Sequence, residues 1–146
     1  MRRNRLFILL GVGMLLASCS DSDELRLLNG QYSGYFYYRG PNMPAAEKST
    51  QGVTLELGQG NTYNSSANPG WKPAGGSGDF VVMKDNMVTF TDKNVWTANF
   101  DWGLILDGKF VYEIKGDSLI LTRYTEPCPQ CSMLPSLYQY RLKRIN

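Results

Sequence analysis

The sequence contains no histidine, only three cysteines, and no apolar run long enough to cross a bilayer. Without histidine, the chain lacks the commonest general base and the commonest metal ligand. Its longest uncharged, leucine-rich run, residues 6–16, would rise only about 16 Å as a helix, whereas a hydrocarbon core is about 30 Å thick. These absences argue against histidine-based catalysis, a metal site and a transmembrane anchor, but they leave room for an enzyme that uses carboxylates.

The first eighteen residues have the order of a secretory signal peptide. Arg2, Arg3 and Arg5 form a basic head, the apolar run follows, and small residues lead directly to Cys19. The segment Leu16-Ala17-Ser18-Cys19 resembles the lipobox of bacterial lipoproteins. The resemblance implies that residues 1–18 are removed and that the Cys19 thiol carries a diacylglyceryl group, which anchors the protein to a membrane. An ordinary signal peptide with a stray cysteine is the alternative.

Residues 19–30 are predicted to form a tether, because the polar, acidic stretch Ser20-Asp21-Ser22-Asp23-Glu24 buries little apolar surface. Acidic residues just after the lipidated cysteine resemble the surface-export signal of Bacteroidetes lipoproteins. Ser20, rather than an aspartate, follows Cys19, so the inner-membrane retention pattern of enteric bacteria is not matched. We therefore expect a lipid-anchored outer-membrane protein on the cell surface, with the periplasmic face as the alternative.

The net charge of the mature chain is close to zero. The whole sequence carries +2, but three of its fifteen basic residues lie in the leader, which leaves twelve against thirteen acidic residues, or −1. A protein that binds nucleic acid needs a basic surface to neutralise phosphates. We therefore expect no nucleic-acid partner.

Beyond residue 30, apolar and polar residues alternate in short runs, which is the pattern of half-buried β-strands. Such runs occupy residues 31–39, 53–57, 62–65, 78–82, 88–90, 96–106, 110–114, 119–121 and 138–142. Loops are predicted over residues 40–49, 66–76 and the dozen or so residues before Tyr138. Turn signals mark the other boundaries: Gly58-Gln59-Gly60, Lys84-Asp85-Asn86, Asp107-Gly108 and Gly116-Asp117, of which the last two are typical of tight hairpins.

Strands joined by short turns run antiparallel, and a long series of them hides its edges by closing into a barrel. We predict an all-β domain over residues 31–146, an antiparallel up-and-down barrel of eight or nine strands. A two-sheet sandwich is the alternative. The stretch GGSGDFVVMKDNMVTFTDKNVWTANFDWGLILDGKFVYEIKGDSLIL, residues 75–121, resembles the small lipocalin-like (calycin-type) barrel lipoproteins of Bacteroidetes. That resemblance extends over roughly residues 29–146, implies a fold rather than an activity, and transfers no catalytic residue.

Cys128-Pro129-Gln130-Cys131 contains the two cysteines that remain after Cys19. Outside the cytoplasm, two nearby cysteines usually oxidise, so a local disulfide between Cys128 and Cys131 is expected. A redox-active pair would need a helix N-terminus after it, and the sequence shows no helical pattern there. A redox role, free thiols and a metal site are the other possibilities.

Aromatic residues are the best candidates for ligand binding. Two strand faces could meet inside the barrel and either fill it or line a small ligand pocket; they carry Tyr32, Phe36, Tyr38, Trp96, Phe100 and Trp102. Trp71, in a loop rich in Gly and Pro, either contacts a ligand or packs as a lid. Tyr35 and Tyr37 have the opposite parity and are predicted to form an outward patch.

We therefore expect a non-catalytic binding module for a small apolar or amphipathic ligand, with no cofactor, no metal and no catalytic residue. The alternative is a protein-interaction or inhibitor subunit that uses exposed aromatics and loops. A carboxylate-based hydrolase is the third possibility, although Asp85, Asp92, Asp107 and Asp117 stand in predicted turns, where aspartate is favoured for backbone reasons.

Overall fold

The computed structural model describes residues 28–97, 100–130 and 134–145. Cys19, the predicted leader and most of the acidic tether lie outside these ranges, so the processing and the lipid attachment stay predictions. Within these ranges, no helix is long and apolar enough to cross a bilayer.

A single antiparallel sheet closes on itself as a barrel. Its strands within the described ranges are β1 (Gly30–Arg39), β2 (Glu47–Lys48), β3 (Val53–Leu57), β4 (Thr62–Ser65), β5 (Gly76–Met83), β6 (Met87–Asp92), β7 (Gly108–Lys115), β8 (Ser118–Arg123) and β9 (Leu137–Arg144). β1 and β9 close the barrel through eight residue pairs, from Tyr32–Arg144 to Arg39–Leu137. Eight strands form the barrel, and the short β2 adds an extra strand beside β1. The predicted all-β, up-and-down barrel is confirmed, and it is compatible with a lipocalin-like fold.

Inward side chains fill the barrel. Five aromatic rings cross the interior as one continuous series, with neighbouring ring centroids 4.8–6.4 Å apart: Phe36, Tyr140, Phe110, Phe90 and Tyr63. Aromatic pairs at such distances add about 0.5–1.5 kcal/mol each beyond the area they bury. Leu55, Leu119 and Leu121 are fully buried around them. A barrel of this size either fills with side chains or holds a small ligand, and here large buried side chains occupy the inward positions of the described strands.

The two ends of the barrel differ. In an up-and-down barrel, successive connections alternate between the ends. The end we call the loop end carries the long connections, residues 40–52, 66–75, 93–107 and 124–136. The opposite end, the turn end, carries the short connections, residues 58–61, 84–86 and 116–117. β1 begins and β9 ends at the turn end, so the two ends of the described chain emerge there.

The turn end is sealed by the first described residues. Leu28 is fully buried, and its carbonyl oxygen accepts a hydrogen bond of 2.7 Å from the Tyr32 hydroxyl. The Arg144 guanidinium donates to that same hydroxyl at 2.7 Å and to the Asn29 carbonyl oxygen at 2.6 Å. Burial raises the pKa of Tyr32, although the Arg144 charge opposes the shift. The phenol therefore stays neutral and holds the entering chain against the barrel.

One predicted strand is wrong. The parity predicts a strand over residues 96–106 that places Trp96, Phe100 and Trp102 on one inward face. The described residues of this stretch, 96–97 and 100–106, instead lie in the long β6–β7 connection, which contains a 3₁₀ turn at Trp102–Leu104. Asp107-Gly108 is accordingly not a hairpin turn, because β6 ends at Asp92 and β7 begins at Gly108, directly after Asp107. The Lys84-Asp85-Asn86 and Gly116-Asp117 turns are confirmed, and β2 forms within the predicted loop over residues 40–49.

Glycine is required at position 34 because β1 and β9 approach each other closely there. Gly34 pairs with Val53 of β3 on one side and with Leu142 of β9 on the other. A Cβ atom at Gly34 would lie against the carbonyl oxygen of Arg141, well inside contact distance. At Gly52, the nearest atom to such a Cβ is the Gly34 carbonyl oxygen at 3.5 Å, an ordinary contact.

Gly34→Ala is therefore expected to destabilise the barrel by about 1–3 kcal/mol, because the methyl group forces β1 away from β9. Gly52→Ala is the matched control, with an expected change within about 0.5 kcal/mol. Urea unfolding followed by circular dichroism measures both variants. Equal stability of the two variants would contradict the close strand approach.

Candidate functional site

Two long connections cap the loop end by pairing with each other. Gly75 and Ile105 form a parallel bridge. The Ala74 amide donates to the Leu104 carbonyl oxygen at 2.9 Å, and the Leu106 amide donates to the Gly75 carbonyl oxygen at 3.2 Å. Ala74 and residues 104–106 are buried. The cap is thus an ordered extension of the core.

The cap is tied to the barrel interior through Tyr63. Its hydroxyl donates to the Leu106 carbonyl oxygen at 2.6 Å and lies 3.3 Å from Asp92 Oδ1. Burial first, and then the negative charge of Asp92, raise the pKa of Tyr63. Tyr63 therefore stays a hydrogen-bond donor at physiological pH and connects β4 to the cap.

Asp92 organises the start of the β6–β7 connection. Its carboxylate accepts hydrogen bonds from the Ser77 amide at 3.0 Å, from the Asn94 amide at 3.1 Å and from Asn94 Nδ2 at 2.7 Å. It also accepts one from Trp96 Nε1 at 2.6 Å. Hydrogen bonds to a carboxylate are about twice as strong as neutral ones, so Asp92 sets the position of the Trp96 indole.

Trp96 belongs to a loop-end aromatic cluster with Phe100 and Trp71. The Trp96 and Phe100 rings stack with centroids 5.3 Å apart. Trp71 stands nearly perpendicular to both, 6.5 Å from Trp96 and 6.1 Å from Phe100. Trp96 and Phe100 pack against the core, whereas 56% of Trp71 is exposed. Two anchored rings therefore hold a third one at the surface.

The backbone of Trp71 is strained. Its φ of 61° lies in the left-handed region, which a bulky side chain occupies at a cost of about 1–2 kcal/mol. The residue ends a 3₁₀ turn, Pro69–Trp71, whose middle residue Gly70 also has a positive φ, 76°. Strain of this kind persists only where the surroundings over-determine it and is concentrated at functional sites.

A pocket of about 270 Å³, which we call the notch, opens beside this turn. It lies beyond the end of the β3–β4 pairing, whose last hydrogen bond runs from the Ser66 amide to the Thr54 carbonyl oxygen at 3.0 Å, so that β2 faces the loop after β4 instead of another strand. Phe36 and Tyr38 line the notch from β1. The remaining lining residues come from two connections: Glu47, Lys48, Ser49 and Thr50 on one side, and Asn68, Pro69, Gly70 and Lys72 on the other.

Asn68 joins the two sides of the notch. It is 5% exposed, and its Nδ2 donates to the Gln51 carbonyl oxygen at 2.8 Å while its Oδ1 accepts from the Thr50 hydroxyl at 2.9 Å. Above it, Lys72 Nζ lies 3.4 Å from Glu47 Oε2 and 4.9 Å from the centre of the Tyr38 ring. The base of the notch is thus a fixed polar clamp, and its rim carries exposed charges.

Arg123 points inward under the cap. It donates to the Ile105 carbonyl oxygen at 2.8 Å, and its guanidinium lies 5.1 Å from the centre of the Phe110 ring. Burial lowers the pKa of this guanidinium. Burial also raises the pKa of Tyr140, so that its hydroxyl stays neutral. The Arg123 charge and the neighbouring Ser65 hydroxyl oppose this rise in the Tyr140 pKa. Arg123 Nε is buried and has no hydrogen-bond partner within the part of the chain that the structure describes.

The predicted ligand-binding aromatics separate into three places. Tyr32 and Phe36 are buried in the core, and Tyr32 lies at the turn end. Tyr38 packs against Tyr138 near the loop end, with centroids 5.5 Å apart. Trp71 joins Trp96 and Phe100 in the aromatic cluster. Trp102 is 56% exposed, so its predicted inward position is wrong. A single interior set of six rings therefore does not form.

The outward patch is present and carries cations. Tyr35 is 39% exposed, and Lys48 Nζ lies 3.4 Å above the centre of its ring. Arg141 lies 4.2 Å from the centre of the half-buried Tyr37 ring. Each tyrosine thus has a cation on one face, which leaves less of the rings for a partner.

Cys128 lies exposed in the β8–β9 connection, and Cys131 is outside the described residues, so the disulfide stays a prediction. In the ranges the structure covers, no group of three or more Cys, Asp or Glu side chains is placed to hold a metal ion.

Sequence reasoning missed Tyr63, Asp92, Asn68 and Lys72. The turn pattern predicts Asp92 in a turn, yet Asp92 has the same inward parity as Val88 and Phe90. A carboxylate on an inward strand face needs hydrogen-bond donors, and this could have indicated its role. Asn68 and Lys72 lie in an irregular loop, where no periodicity shows which side chains meet.

No protein-family model matches the chain, and no curated protein matches it significantly in sequence. The closed barrel is the feature that agrees with the lipocalin-like resemblance.

Because the backbone at Trp71 has a positive φ, we predict that glycine is better tolerated than alanine at this position, which is the opposite of the usual order. Because both variants lose the indole ring, Trp71→Gly should be more stable than Trp71→Ala by about 1 kcal/mol, the cost of a Cβ atom at positive φ. At Trp102, which lacks a positive φ, the order should reverse, with glycine about 0.5–1 kcal/mol less stable than alanine. Thermal unfolding of the four variants measures both differences. The same order at both positions would contradict the left-handed conformation.

Proposed function

We propose that the chain is a non-catalytic binding module that receives a small amphipathic ligand at the loop end, in the notch beside Trp71. The observation that carries the proposal is the contrast between the packed interior of the barrel and the open pocket at its loop end. The interior is packed by aromatic rings, whereas the loop end offers a pocket of about 270 Å³ that is lined by Gly70 and Lys72, the chain neighbours of the exposed Trp71. Drug-sized ligands occupy pockets of about 300–1,000 Å³, so the ligand is small.

Hydrogen bonding at the loop end supports a non-catalytic role. Glu47, the carboxylate that lines the notch, forms an ion pair with Lys72 Nζ at 3.4 Å. The other carboxylates of the loop end bind the backbone: Asp101 Oδ1 accepts from the Gly103 amide at 2.9 Å, and Asp107 Oδ1 accepts from the Asp92 amide at 2.9 Å. Asp92 itself accepts hydrogen bonds from Ser77, Asn94 and Trp96. A general base must reach a substrate proton, and these groups serve to hold the loops.

The outer wall gives less support to the alternative, an interaction subunit that uses Tyr35 and Tyr37. Lys48 and Arg141 already cover one face of those rings. Exposed aromatic anchors dominate many protein interfaces, and here the more accessible aromatic side chain is Trp71.

We also propose that a lipid on Cys19 holds the protein at the outer membrane, with the loop end facing away from it. Support comes from the lipobox and from the topology, since β1 starts at the turn end. Residues 19–27 lie between the proposed lipid and the first described residue. At about 3.6 Å per residue, they span at most about 32 Å, which keeps the turn end close to the bilayer.

The binding proposal predicts where an amphipathic probe binds. With the unlipidated chain from residue 19 (Cys19→Ser), anilinonaphthalene sulfonate should shift the amide NMR signals of residues 47–50, 68 and 70–72. Its rings fit the aromatic side chains that line the notch, Phe36 and Tyr38, and its sulfonate meets Lys48 and Lys72. Lys72→Ala should weaken this binding about fivefold, or about 1 kcal/mol. Lys84→Ala, which removes an exposed lysine at the turn end, is the matched control. Shifts confined to buried core residues such as Phe90 and Leu121 would contradict a loop-end site.

The anchoring proposal predicts that cells fed labelled palmitate label the wild-type protein and do not label Cys19→Ala. The variant should also leave the membrane fraction, since acyl chains supply the membrane affinity. Cys128→Ala is the control and should keep the label. Label retained by Cys19→Ala would refute lipidation at this residue.

A further inference from the structure

We propose that a groove on the outer wall of the barrel binds an organic phosphate, with the phosphate group on Arg141 and Lys143 and the organic part of the ligand on Tyr35 and Ile120. The groove has a volume of about 550 Å³. It shares no lining residue with the notch, so this inference is independent of the proposed loop-end site.

The groove crosses three neighbouring strands, β1, β9 and β8. Residues opposite each other on one face of a sheet have Cβ atoms about 4.5–5.5 Å apart. The strand register places six outward residues of the groove in two such rows: Ser33, Lys143 and Ser118 in one row, and Tyr35, Arg141 and Ile120 in the next. Each row therefore has a cation at its centre, between two uncharged side chains.

The two cations lie side by side with little acidic compensation. Arg141 and Lys143 are on the same face of β9, and among the described residues no carboxylate lines the groove. Asp117 Oδ2 is 3.9 Å from Lys143 Nζ, and both side chains are largely exposed, so this pair contributes little. Glu113, on the far side of β8, forms an ion pair with Lys115 instead. The groove therefore has an excess of positive charge, which attracts an anion.

Arg141 is held in place before a ligand arrives. Its Nε donates to Gln139 Oε1 at 2.6 Å, and Gln139 Nε2 donates to Thr122 Oγ1 at 2.8 Å. Its guanidinium lies 4.2 Å from the centre of the Tyr37 ring. Within the described residues, these contacts leave the N–H groups of both terminal guanidinium nitrogens free for a ligand. A planar fork of this kind suits carboxylate and phosphate groups.

A phosphate group matches the two rows better than a carboxylate does. A carboxylate has two oxygens, and the guanidinium fork of Arg141 can bind both. A phosphate monoester has three acceptor oxygens and a charge of about −1.5 to −2 at neutral pH. It can therefore bind the Arg141 fork and Lys143 together and still accept a hydrogen bond from the hydroxyl group of Ser33 or Ser118.

The groove also has room and surface for an organic group. Tyr35 is 39% exposed and Ile120 is half-buried, and both are in the same row as Arg141. Lys48 covers one face of the Tyr35 ring, so a ligand contacts the remainder of that side chain. Drug-sized ligands occupy pockets of about 300–1,000 Å³, and the volume of the groove lies within this range. An organic phosphate therefore fits the groove better than inorganic phosphate does.

The test is an NMR titration of the unlipidated chain from residue 19 with phenyl phosphate, followed at the amides of residues 33–35, 118–120 and 141–143. Phenyl phosphate should shift these signals in a saturable way, and phenol, which lacks the phosphate group, should not. Arg141→Gln should weaken the binding about tenfold, because the charged fork is lost, and Arg141→Lys should weaken it less. Lys109→Ala removes an exposed lysine from the outer face of β7 and, as the matched control, should leave the affinity unchanged.

A second measurement identifies the source of the phosphate group. Flotation of the same chain with phosphatidylcholine vesicles, with and without phosphatidic acid, measures binding to a phosphate in a lipid headgroup. Flotation that requires phosphatidic acid and is lost in Arg141→Gln would support a headgroup as the ligand. Binding of phenyl phosphate without flotation would support a soluble organic phosphate.

Three outcomes would overturn the proposal. The first is that neither phenyl phosphate nor phosphatidic acid binds. The second is equal weakening by Lys109→Ala and Arg141→Gln, because binding would then follow overall charge. The third is a set of shifts confined to residues 47–50, 68 and 70–72, which would place the phosphate in the notch and leave the loop-end proposal standing. Unchanged signals from β5 and β6 in each variant confirm that the barrel remains folded.

Discussion

The pairing of β1 with β9 is the constraint on which the rest of the structure depends. Closing the sheet leaves each barrel strand with two neighbours and turns one face of every strand inward, where side chains must fill the space or leave it open. Gly34 permits this closure because β9 passes too close for a side chain at that position. The inward faces then supply aromatic rings, and their contacts make the barrel a solid support for the loops.

A packed barrel moves recognition to its end. The four long connections emerge together because antiparallel strands alternate direction, and two of them pair through Gly75 and Ile105 to form the cap. Tyr63 and Asp92 reach from the barrel wall into this cap, so the loops inherit order from the core. The strained Trp71 is the result: its surroundings fix a conformation that its own backbone disfavours. Contacts that begin in the packed interior therefore restrict the conformation of an exposed side chain.

Most of the fold could be predicted from the sequence because strand parity and tight turns are local signals. Lys84-Asp85-Asn86 and Gly116-Asp117 need only their own backbone conformation to reverse the chain, and both do so. The strand prediction for residues 96–106 was wrong for a physical reason. Apolar residues at every second position suit a strand, but they equally suit a loop in which Trp96 and Phe100 pack on the cap. The notch could not be predicted because Glu47 and Lys72 are 25 residues apart in the chain, in two connections without periodicity that come together only in the folded protein.

The placement of the chain ends has a practical consequence for handling this protein. Leu28 and Ile145 both lie at the turn end, where the Arg144 guanidinium holds the Asn29 carbonyl and the Ile145 amide donates to the Gln31 carbonyl oxygen at 2.8 Å. A fluorescent fusion, an affinity handle or a surface coupling joined directly to residue 28 or residue 145 would therefore leave the barrel at the end opposite Trp71. The protein can be immobilised through its turn end, which leaves the loop end accessible to ligands.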